Sequence, residues 1–289
     1  MTFVSRRLDA ASPLFVFMFG AWRQVEWHVA RIPDLRSMVE PQARFIFLGR
    51  VGGRNGSMLV VVSARRVGII LSIAILFVLV GHVIGQYIEK FRGDPMLWGL
   101  VPLLNMNAEM SVAAWYSSLL LIVSAGLFAI AAGIARQTGA PFARSWTGLA
   151  VVFVYLSLDE AASIHEWSIA PLRERFGITE GWLYFAWVVP AAALVVIFAI
   201  AYVPFLLRLP STTRTGFIVA GMVFVGGALG VETISAWYNT TRGGNDYIYQ
   251  LIGAVEEVFE MAGIVILLMT LISYLDDQTE SIPLRFVRG

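Results

Sequence analysis

The sequence predicts an all-α membrane protein, a bundle of about six transmembrane helices with both termini on the cytoplasmic side. Three observations predict it. Hydrophobic residues make up 58% of the 289-residue chain and charged residues only 14%, against roughly 45–50% and 25% in soluble domains. Mean hydropathy is +0.73. The apolar residues also gather into unbroken runs of about 20 residues, the length that crosses a hydrocarbon core as a helix. The short alternating strands of a membrane β-barrel are absent from these runs.

The runs lie near 67–88, 109–135, 146–166, 181–207, 215–236 and 248–274. The first reads VGIILSIAILFVLVGHVIGQYI, and the last ends in MAGIVILLMTLISYL. Residues 58–275 therefore form the expected transmembrane domain, and 276–289 a short cytoplasmic tail. Residues 1–57 differ in kind. They hold eight Arg, three Pro and one short apolar run, LFVFMFGAW at 14–22. That run is too short to span and lacks a clear signal-peptidase site. It reads as an interfacial helix, or else translation begins at Met58.

Orientation follows from the basic residues at the span ends. Arg65, Arg66, Arg136, Arg144, Arg208, Arg214, Arg285 and Arg288 fall on one side. Lys90, Arg92, Arg173, Arg175 and Arg242 fall on the other. The first side is expected to be cytoplasmic; the expected location is a bacterial inner membrane, crossed several times. The chain has no cysteine, so disulfide and thiolate chemistry are excluded. The net charge of +1 is uninformative, and with no aromatic-laced basic patch no nucleic-acid partner is expected. The lipid bilayer is the expected partner, with a membrane protein as a second.

This topology sorts the ionisable residues. Asp159, Glu160, His165 and Glu166 fall at the outer end of the third span, His82 in the outer third of the first, and Glu109 at the outer start of the second. Glu232 closes the fifth on the outside, and Glu256, Glu257 and Glu260 open the sixth there. The inner halves contain no Asp, Glu, His, Lys or Arg. An ionisable group inside a span costs about 2.5–3.5 kcal/mol on insertion scales, so such groups face a cavity or a partner.

At about 100° per residue, Asp159, Ser163 and Glu166 would share one helix face, and Glu256, Glu257 and Glu260 fit one inward arc. Three carboxylates so close cannot all stay ionised without a partner. Either some carry protons or a cation sits among them. Carboxylates with imidazole suit a divalent metal such as Fe, Mn or Zn, and helix bundles build such sites from inward Glu and His. The predicted ligands are Asp159, Glu160, His165, Glu232, Glu256, Glu257, Glu260 and His82. The Glu-x-x-His and HExxH spacings are absent, so no catalytic residue is assigned.

The stretches AEMSVAAWYSS, SLDEAASIHE and VEEVFEMAG resemble a group of uncharacterised bacterial polytopic membrane proteins, matching over roughly 67–275. The resemblance implies a helical membrane fold and carries no activity. Three functions stay open. A metal-binding membrane protein, such as a metalloenzyme acting on a lipid or other apolar substrate, is the first. A non-catalytic subunit or assembly factor is the second. A proton- or cation-coupled transporter is the third, and the apolar inner halves count against it.

Overall fold

The computed structural model describes residues 25–28, 44–51, 57–244 and 246–279. The run at 14–22 and the last ten residues lie outside the described residues. Val25–His28, Arg44–Val51 and Ser57–Ser63 pair as a three-stranded antiparallel sheet ahead of the helices. Among the described residues from Ala64 onward, every regular element is helical.

Helix α1, Ala64–Tyr87, widens into a π turn, Ile88–Arg92, that stops at Gly93 with φ of 70°. A loop follows, carrying a 3-10 turn (Leu97–Gly99) and the short α2 (Leu100–Leu103). Asp94 holds this loop's start by accepting the Met96 and Leu97 N–H groups. Helix α3, Val112–Gln137, begins where the Ser111 side chain accepts the Ala114 N–H at 3.2 Å, a standard N-cap. Glu109 therefore lies ahead of the helix in the loop, not in its first turn as the sequence pattern implied.

Helix α4 runs Ala143–Ala162 and meets α5, Ile164–Trp167, and α6, Ile169–Phe176. Helix α7 is Val188–Arg208 and α8 is Ser211–Val225. A π segment, Gly226–Val231, joins α8 to α9, Glu232–Arg242. The last helix, α10, spans Tyr247–Thr279. Five of these units are long and apolar enough to cross a membrane, or six with the bent pair Ala143–Ala162 and Ile164–Phe176 as one span.

Helix α10 is the central post. It packs against α1, α3, α8 and the π segment, and Met261, Leu271 and Leu275 on it have no exposed surface. Half of its apolar window is buried, against 11% for α7, which stands at the periphery. Gly263 allows a close backbone approach: a Cβ there would lie 2.7 Å from the Phe224 backbone nitrogen and 2.9 Å from the Ala220 oxygen on α8. Helices α3 and α4 form a tight antiparallel pair in which Ser118 and Ser157 exchange hydrogen bonds through hydroxyls and backbone carbonyls. One end of the bundle is closed by aromatic packing of Trp146 against Phe128, Phe205, Phe217 and Tyr274. The opposite end carries the carboxylates.

A candidate carboxylate pocket

The third span does not run straight through its acidic stretch. The helix stops at Ala162, and Ser163 adopts φ of 51°, a left-handed conformation uncommon for a residue with a Cβ. The chain then turns by 69° into α5 and α6. Asp159 fixes this elbow. Its Oδ1 accepts the His165 backbone N–H at 2.9 Å, and its Oδ2 pairs with His165 Nδ1 at 2.8 Å. The expected single-face stripe of Asp159, Ser163 and Glu166 is therefore not formed, because the backbone reverses its twist between them. The break instead brings His165 back beside Asp159.

With Nδ1 bound to a carboxylate, His165 has Nε2 left for another contact, the arrangement by which carboxylates set the tautomer of ligating imidazoles. Its ring lies 4.5 Å from the Trp187 ring. Trp187 Nε1 donates to Glu232 Oε1 at 3.0 Å. Glu232 in turn lies beside Glu256.

The π segment positions Glu232. A Cβ at Gly227 would lie 2.8 Å from the Glu256 carbonyl oxygen and 2.9 Å from the Phe259 Cβ. The wide turn thus lies directly on α10 and delivers Glu232 to the Glu256–Glu260 face. Single π turns inside α-helices recur at functional sites.

Deeper along α10, Glu257 neighbours Glu160, Glu109 and Glu232 electrostatically, and Glu260 neighbours Glu257, Glu160 and Asp159. Glu257 Oε2 is buried with no hydrogen-bond partner. At the rim, Glu109 lies beside Glu166. Partial burial, then this contact with Glu166, pushes the Glu109 carboxyl up to about 8. Among the described residues, no Arg or Lys pairs with any of these eight carboxyl groups, and Asp159–His165 is their one ion pair.

His82 is held apart from this group. It is 1% exposed, and both ring nitrogens are occupied. Nδ1 accepts the Met106 N–H at 3.0 Å, which leaves Nε2–H to donate to the Gln250 carbonyl at 3.2 Å. It ties the 94–111 loop to α1 and α10. Two residues of this region were not legible as site residues. Trp187 reads in sequence as one more aromatic at the membrane interface, yet it bridges His165 and Glu232. Asn107 carries no charge to mark it, and its amide lies flat against Gly253, where a Cβ would come within 2.5–2.7 Å of its side-chain atoms. The one available signal was the pair of amides Asn105 and Asn107 just ahead of a membrane span.

Among the described residues, no three His, Asp or Glu side chains stand close enough together to enclose a metal ion as they are. The arrangement is an acidic cluster drawn from five segments: the loop before α3, then α4, α5, α9 and α10.

No curated protein and no solved structure matches the chain. One family model does match, over residues 69–274, which takes in every helix of the pocket. It is described only as a domain of unknown function, DUF8692, and the chain belongs to that family.

Proposed function

We propose that this integral membrane protein binds a divalent metal ion in the carboxylate pocket. The observation that carries the reading is the imbalance of charge: eight carboxyl groups converge with one imidazole and no paired Arg or Lys among the described residues. Buried carboxylates without cationic partners must hold protons or bind a metal. A divalent ion displaces whatever protons such a cluster holds and draws the carboxylates inward, as ligands must deprotonate to bind.

Glu160, Glu232, Glu256, Glu257 and Glu260 are the carboxylate ligands in this reading. His165 contributes through Nε2, and Asp159 orients it. His82 serves the scaffold. By the distribution of basic residues, the pocket faces the outer leaflet of a bacterial inner membrane. A lipid or another apolar molecule is the substrate class such a site would meet there, with the metal acting as Lewis acid or redox centre.

The test is elemental analysis by mass spectrometry of the detergent-purified protein beside a Glu257→Gln, Glu260→Gln variant. We expect one or two equivalents of a divalent metal, lost in the variant with the fold retained. Metal-free wild-type protein that also fails to take up Mn, Fe, Zn or Ca on addition would overturn the reading.

A further inference from the structure

Within that pocket, and resting on its reading as a cation site, two buried oxygens have no hydrogen-bond partner: Glu257 Oε2 and Asn107 Oδ1. They come from distant parts of the chain and meet the same face of α10. The Asn107 amide lies against Gly253, and Gly253 and Glu257 are one helical turn apart. The loop's own carboxylate, Glu109, is an electrostatic neighbour of Glu257.

The Asn107 amide cannot turn to relieve its oxygen. Its Nδ2 donates to the Gln250 carbonyl at 3.2 Å and to Gln250 Oε1 at 2.8 Å. Reversing the amide would set Oδ1 against two acceptors. The backbone on either side is pinned as well. Met106 N–H is held by His82, and Asn107 N–H donates to Asn105 Oδ1 at 3.1 Å. Two buried acceptors left without a donor, one of them on an amide held in place, are unusual in a folded interior.

A positive ion satisfies both. We propose that Asn107 Oδ1 and Glu257 Oε2 are ligands of a hard, oxygen-seeking divalent cation of the calcium or manganese class. A neutral amide carbonyl beside carboxylates is the donor set such ions take. Imidazole-preferring zinc would gather instead toward His165. The loop would then be a built part of the site, with His82 as the residue that positions it.

The experiment is calorimetric titration of the purified full chain with Ca2+, Mn2+ and Zn2+ separately, in wild type, Asn107→Ala and Asn107→Asp, with helicity and monodispersity checked for each. Asn107→Ala should weaken Ca2+ or Mn2+ binding by about tenfold or more and leave Zn2+ binding nearly unchanged. Asn107→Asp keeps the oxygen and adds charge, so it should restore or tighten Ca2+ or Mn2+ binding. If Asn107→Ala does not fold, the Asp variant decides alone, and weaker Ca2+ and Mn2+ binding there overturns the proposal. Unchanged Ca2+ and Mn2+ affinity in Asn107→Ala also overturns it. Wild type that binds Zn2+ alone overturns it too, while the cation pocket stands. Wild type that binds no divalent ion removes the pocket reading and this one together.

Discussion

Asp159 occupies both its oxygens in holding the backbone elbow and the His165 ring. Two charge-assisted hydrogen bonds at a helix break are worth more than either alone, and bonds to charged groups contribute about 1.5–3 kcal/mol each. Asp159→Ala should therefore lower the unfolding free energy by about 2 kcal/mol, seen as a lower melting temperature in a thermal shift assay. Asp159→Asn, which keeps one acceptor oxygen for the His165 N–H, should fall between. If both variants melt with wild type, the elbow does not depend on this side chain.

Glu109 gives stability a pH dependence of definite sign. Its carboxyl is raised to about 8 in the folded protein, from an ordinary value of 4.5. The folded state thus holds the proton more tightly than the unfolded chain. Stability is fullest below the unfolded value and is lost as pH climbs from about 4.5 toward about 8. Melting temperatures measured across that range should decline, and the decline should be smaller in Glu109→Gln. Because the group sits at an exposed rim, the effect is modest and its direction is the test.

At the scale of elements, the informative contacts are those where a glycine lets two helices touch. Gly227 lies against the backbone of α10, so an added methyl has no flexible neighbour to push aside. Gly227→Ala should destabilise the fold by about 1–3 kcal/mol, the usual cost of overpacking. It should also separate Glu232 from Glu256 and so weaken metal uptake, although it removes no ligand. Gly230, in the same π segment, has open space at its Cβ position, and Gly230→Ala is the control. Metal content equal in both variants would show that the π segment does not set the pocket.

The spans themselves were readable because hydropathy and length decide them, and five of the expected six runs appear as single long helices or helix composites. The elbow was not readable. Nothing in AASIHE requires a positive φ, and the run has neither Gly nor Pro. It follows from Asp159 reaching forward six residues, a tertiary event at short range. The acids were visible as a layer, since each stands out in an apolar run. Their pairing was not, because it depends on a helix break, a wide turn and a loop that periodicity does not register. Asn107 and Trp187 stayed hidden because neutral polar and aromatic residues are ordinary near a membrane surface.

For the whole molecule, the separation of an acidic end from an apolar end is the dominant property. An aromatic nest around Trp146 closes one end, and the pocket occupies the other. Helix α10, at 33 residues, is about 50 Å long, longer than a hydrocarbon core of about 30 Å. It reaches from the pocket past the nest. Orientation in the membrane can be tested directly, because the chain has no native cysteine. A membrane-impermeant maleimide on intact cells should label Glu180→Cys, beyond α6, and should reach Gln137→Cys, at the far end of α3, only after permeabilisation. The reverse pattern would place the carboxylates toward the cytoplasm.

The π segment between α8 and α9 has a consequence for recognising kin. A turn closed by i→i+5 bonds holds one residue more than an α turn, so every side chain after it is displaced around the axis relative to those before. A helical wheel drawn at a constant angle from Ser211 assigns Glu232 to the wrong side. Its true address is a count, one residue of slack inserted into an otherwise regular coil. Distant sequences that align well through this span but lack that extra residue would keep the glutamate in letter and lose it in space.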